Sequence, residues 1–138
     1  PKGLDYNAWC GPGETLPYMR ARHHRWWRGH SQYGGGSLMD FIGHHNDIAH
    51  WGMDMDRSGP NEVKPIQVDM PPRTDIWNTA TKYRTECLYA GDITMVIAGG
   101  HSDIQSGTKW IGEKGWLHVN RSGTFDCSIP NGVTQIFG

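Results

Sequence analysis

The sequence is short of cysteine, of long apolar runs and of net charge. Its three cysteines, Cys10, Cys87 and Cys127, are widely spaced and form no CxxC pair. An odd, scattered set is neither a disulfide framework nor a zinc ribbon. It reads as free thiols in a reducing compartment, packed as small hydrophobes. No apolar run approaches the ~20 residues of a membrane helix, and Pro1-Lys2-Gly3 opens no secretory signal. The expected location is cytoplasmic, with no membrane partner. Thirteen Lys and Arg stand against 14 Asp and Glu, for a formal charge of -1. That leaves no basic excess to hold a phosphate backbone, so nucleic acid is not an expected partner. Neither the Lys-Ser/Thr of a P-loop nor a GxGxxG turn after a strand is present.

What is there suits one domain of 138 residues, long enough to bury a core without staples. Hydrophobic residues make 36% and charged residues 20%, a globular composition on the polar side. Trp (7), His (8) and Gly (19) are abundant, and glycine at that density signals many turns or close backbone approaches. Residues 1–36 are loop-rich. Tyr6 to Trp9 suits a helical turn and Arg25 to Arg28 a short Trp-rich strand. Residues 37–53 form the best helix, with Ser37 as the capping residue and Asp40 three places on. Leu38, Ile42, Ala49 and Met53 fall within about 60° on that helix and form its buried stripe.

Strand patterns follow. Val63, Ile66 and Val68 suggest a strand that Pro65 makes an edge or irregular one. Thr79 to Ala90 reads as the next, turning at Gly91-Asp92 into Ile93–Ala98. A second hairpin joins Lys109-Trp110-Ile111 to Trp116–Val119 through Gly112–Gly115, and Thr124 to Ile129 suggests a last strand. One helix followed by antiparallel strands is an α+β pattern, with the helix expected on one face of the sheet.

The helix carries a second stripe. Asp40, His44, Asp47 and Trp51, at i, i+4, i+7 and i+11, lie within about 60° of each other and away from the apolar stripe. A solvated face would explain the acids and the histidine. Trp51 argues instead for a partly enclosed cleft, since a large aromatic is seldom left in water. There Asp40 would hydrogen-bond the His44 imidazole, raise its pKa and fix its tautomer, making it a base for a hydroxyl proton. A metal held by His44 and a carboxylate would need a third ligand from His23, His24 or His101. The segment Arg20 to Arg28, with Trp26 and Trp27, suits stacking on sugars or bases, or packing of a loop. Gly34-Gly35-Gly36 reads as a tight approach to the helix start.

These residues carry a resemblance. Gly34-Gly35-Gly36-Ser37-Leu38-Met39-Asp40 with His44, Asp47 and Trp51 resembles the GGG-x-L-x-D-x-x-x-H-x-x-D-x-x-x-W signature of the Gfo/Idh/MocA oxidoreductases. Leu4-Asp5-Tyr6 to Trp9 with Gly11-Pro12 is similar to that family's LDYxxWxGP segment, and Lys109–Leu117 to its late GxKGxL hairpin. One departure is Ile42, where the family often has Gly, with Gly43 one place late.

The resemblance implies an α+β C-terminal domain built mainly on an antiparallel sheet, with a Rossmann half belonging to the whole enzyme and absent from residues 1–138. It implies oxidation of a sugar or polyol hydroxyl by NAD or NADP, with neither cofactor expected on this chain. His44 and Asp40 match the catalytic His and its partner Asp. Asp47, His45, Trp26 and Trp27 are the expected substrate contacts, and a homodimer through the sheet the expected assembly. The rival readings are a carbohydrate- or protein-binding module without chemistry and a small metal-dependent enzyme.

Overall fold

The computed structural model describes residues 2–129, apart from the His23 side chain, and its chain divides into two units. The first unit comprises Pro1–Phe41 and Pro60–His101, the second Ile42–Gly59 and Ser102–Gly138.

The first unit begins with α1, Tyr6–Cys10, where the Asp5 carboxylate accepts the Ala8 N–H at 3.0 Å and Gly11, at φ 57, ends the turn. Tyr6 stacks on Trp9, and Tyr33 tilts against Trp9 above the buried Cys10. Next come α2, Arg20–His24, and a 3-10 turn, Trp26–Gly29. The expected strand over Arg25 to Arg28 is therefore corrected. Arg and Ala favour helix here, and the Gly29 carbonyl is taken by the Asn78 and Thr79 N–H groups, at 2.8 and 3.0 Å, outside any sheet ladder.

The first sheet has the order β1 (Glu62–Asp69), β2 (Lys82–Leu88), β3 (Thr94–Gly99), all antiparallel. β1 is an edge strand whose register shifts between Pro65 and Gln67, as expected of a strand holding a proline. Gly91 and Asp92, at φ 75 and 60, turn β2 into β3, the backbone that a Gly-Asp pair tolerates. Tyr83 and Cys87, with Tyr89 beyond the strand, are buried together with Met95, which pairs with Cys87. Lys64 opposite Glu86 and Asp69 opposite Lys82 set unlike charges across from one another.

The second unit holds the larger part of α3, Gly36–Gly52, and the sheet β4 (Thr108–Gly112), β5 (Gly115–Val119), β6 (Phe125–Cys127). Here the helix meets β4. The Thr108 hydroxyl donates to the His45 carbonyl at 2.8 Å, and the Trp110 ring fills the space beside Gly52. The turn Glu113-Lys114 closes the hairpin, with Gly115 at φ 145.

The α+β class and the long helix hold. Among the described residues the single sheet is corrected to two sheets of three strands, because β3 ends at Gly99-Gly100, where Gly100 takes φ 74, and pairing resumes only at Thr108. Of the helix stripe, Ala49 is buried and Leu38, Ile42 and Met53 are half-buried. Leu38→Ala should accordingly cost about 1 kcal/mol in urea unfolding, below the roughly 2–5 kcal/mol of a sealed leucine. A loss above that range would show that Leu38 lies deeper than its exposure indicates.

Candidate functional site

The entry to α3 is built from glycine. A Cβ on Gly34 would stand 2.6 Å from the Arg28 carbonyl oxygen and 3.0 Å from its Cα. Gly36 has φ 66, and a Cβ there would run into the Thr79 hydroxyl. Gly29 leaves no room either, because a Cβ would fall inside the Trp77 ring. The close approach expected at Gly34-Gly35-Gly36 is therefore real, and its far side is the Arg28 backbone. Asn78 ties the turn down further, its side-chain oxygen accepting the Ser31 N–H at 2.7 Å and its amide donating to the Arg73 carbonyl at 2.9 Å.

This packing sets Arg28 beside the first turns of α3. Its guanidinium lies 3.5 Å from the Asp40 carboxylate and 4.8 Å from the Trp27 ring centroid. Arg25 sits over Trp26 at 5.4 Å, and Trp26 meets Trp77 edge to face at 6.1 Å. Trp26 is 45% exposed and Trp27 half-buried.

Further along α3, His44 and Asp47 are exposed, and Trp51 is 72% exposed. The enclosed cleft inferred from Trp51 is thus corrected. At about 100° per residue, His45, Ala49 and Gly52 turn toward β4 while His44, Asp47 and Trp51 point well away from it. Asp40 and His44 stand one turn apart on this stripe, and Asp40 pairs with Arg28.

Residues 1–137 match the family model described as the oxidoreductase family C-terminal alpha/beta domain. The chain belongs to the Gfo/Idh/MocA oxidoreductases, as a C-terminal domain. No curated protein and no solved structure matches it. Membership makes α3 the helix of interest, since the family signature read in the sequence runs along it from Gly34 to Trp51.

The residues of this oxidoreductase domain do not fit a dinucleotide at the glycine-led helix start. No strand leads into it, and Arg28, Thr79 and Trp77 occupy the space a pyrophosphate would need beside Gly34 and Gly36. Among the described residues no group of three or more His, Cys, Asp or Glu could hold a metal ion. His101 meets the Tyr83 carbonyl at 3.1 Å.

His45 belongs to the packing face. Burial first, then the neighbouring His44, Arg121 and His118, push its pKa below the usual histidine value. His118 is 2% exposed and meets the Ser106 carbonyl at 3.1 Å. His30, buried near Arg22, is pushed down likewise, mainly by burial. A histidine with a depressed folded pKa binds its proton more readily when unfolded, so stability is full above the unfolded pKa and falls as pH drops below it. The melting temperature should fall between pH 7.5 and 5.5, a window above most carboxylate titration. The double variant His30→Gln, His45→Gln should flatten that slope in calorimetry, and an unchanged slope would assign it to other groups.

Sequence reasoning missed Trp77 and Asn78, which hold the Arg-Trp turn, and the pairing of Arg28 with Asp40. Gly29, isolated between Arg28 and His30, was the available signal for a close backbone approach.

Proposed function

We propose that this chain is the substrate-side domain of a nicotinamide-dependent oxidoreductase that oxidises a sugar or polyol hydroxyl. The observation that carries the reading is His44, exposed on α3 one turn after Asp40. His44 takes the hydroxyl proton as the carbon is oxidised. Asp40, steadied by Arg28 at 3.5 Å, stands one turn earlier on the same stripe. Asp47 accepts a substrate hydroxyl, and Trp26 and Trp27 offer ring faces to a sugar. His45 holds the helix that presents His44. The dinucleotide accepts hydride when bound, on a half of the enzyme other than residues 1–138. The deciding experiment is polyol-dependent reduction of NAD or NADP by the oxidoreductase carrying this domain. Wild-type turnover that His44→Ala and Asp40→Asn leave untouched would defeat the reading.

The expected assembly is a homodimer through the first sheet. It is supported by Val63, Ile66 and Val68 of β1, each at least half exposed, on a strand that pairs with β2 alone among the described residues. Covering that apolar strand with a second copy would remove it from water. Light scattering at tens of micromolar should return twice the chain mass, and a monomer would reject this assembly. No described helix is long and apolar enough to cross a membrane.

A further inference from the structure

The charge of the first unit is unevenly spread. Between Glu14 and Asp40 the sequence holds Arg20, Arg22, Arg25 and Arg28 and not one acid, although the chain as a whole is slightly negative. The structure sets Arg20 and Arg22 on α2, Arg28 on the 3-10 turn and Arg25 at the junction between them. Arg25 lies over Trp26 and Arg28 over Trp27, two guanidinium–indole pairs that make up a ladder along residues 25–28 of the sequence. Arg22 is 7% exposed and donates to the Pro17 carbonyl at 3.1 Å, and its Nε is buried with no hydrogen-bond partner among the described residues. Among the described residues no ion pair offsets this buried charge. The single described counter-charge on the ladder is Asp40, 3.5 Å from Arg28. One carboxylate at that distance uses one of the five guanidinium donors.

We infer that this ladder is a subsite for an anionic sugar, one that carries a carboxylate or a phosphate. The inference rests on the sugar-oxidising reading above and narrows its substrate class. An exposed indole takes the apolar face of a sugar ring. A guanidinium stacked on the neighbouring indole presents a planar fork to a carboxylate or phosphate. Stacking also limits the motion of each arginine, so less freedom is lost when the anion docks. Gly29 and Gly34 hold the ladder's backbone against Trp77 and the start of α3, which keeps the two forks in place before the ligand arrives.

Titration of the whole chain with glucose, D-glucuronate, glucose 6-phosphate and inorganic phosphate, followed on the indole N–H signals of Trp26 and Trp27 by NMR, tests it. One or both acidic sugars should bind about tenfold more tightly than glucose, and the preference should shrink with added salt. The two acidic arms tell a carboxylate subsite from a phosphate one. Arg25→Gln and Arg28→Gln should remove the preference, whereas Lys64→Gln, which removes a charge from β1, should leave it intact. Any of four results would overturn the inference: glucose binding as tightly as both acidic sugars, no sugar moving either indole signal, inorganic phosphate matching glucose 6-phosphate, or a short single-stranded oligonucleotide binding more tightly than any sugar. The sugar-oxidising reading fails separately, if His44→Ala leaves turnover unchanged, so the two can be told apart.

Discussion

His44→Ala should lower kcat about 10²- to 10⁴-fold in the oxidoreductase that carries this domain, with KM changed little, because the proton transfer lost belongs to the transition state. The helix supports this expectation. His44 is exposed and turned away from the face that packs on β4, so removing its imidazole leaves the Thr108 bond to the His45 carbonyl and the seat of Trp110 on Gly52 intact. His45→Ala should do the opposite and lower stability more than turnover. Asp40→Asn should reduce kcat less than His44→Ala, since it removes a neighbouring charge and the Arg28 pair without removing the base. A His44→Ala enzyme with wild-type kcat would end the assignment. By itself the chain 1–138 should bind NAD or NADP no better than about millimolar, because protein atoms occupy the space beside Gly34 and Gly36. Micromolar binding in calorimetry would contradict that.

Gly29→Ala should cost about 3 kcal/mol and lower the melting temperature by roughly 10 °C. The added methyl falls inside the Trp77 ring, and that ring cannot simply swing aside. It meets Trp26 edge to face at 6.1 Å, and the two residues after it donate their N–H groups to the Gly29 carbonyl. Relief therefore requires moving backbone as well as ring, and Arg28 moves with it. Gly43→Ala is the matched contrast. Nothing lies within 4 Å of a Cβ there and its φ is not positive, so alanine should stabilise the helix by up to about 1 kcal/mol. Equal melting temperatures for the two variants would show that the Trp77 contact carries no weight.

Much of this domain is written in local pattern. The stripes of residues 37–53 predicted a helix, found at Gly36–Gly52, and placed Ala49 on its buried side and His44 on its exposed side. Pro65 marked an irregular edge strand, and Gly91-Asp92 and Gly112–Gly115 marked both hairpins. The spacing from Gly34 to Trp51 identified the family that the match over residues 1–137 shows. Each signal comes from residues a few places apart, where helical period, a missing N–H or a positive φ acts directly on the backbone. Tertiary structure decided the rest. It split the strands into two sheets, wound Trp26–Gly29 into a 3-10 turn, left Trp51 in the open and brought Arg28 to Asp40. Those outcomes depend on partners far along the chain, such as Trp77 on Gly29 and Thr79 on Gly36. Close packing couples such residues through space, and no periodicity in the sequence records that coupling.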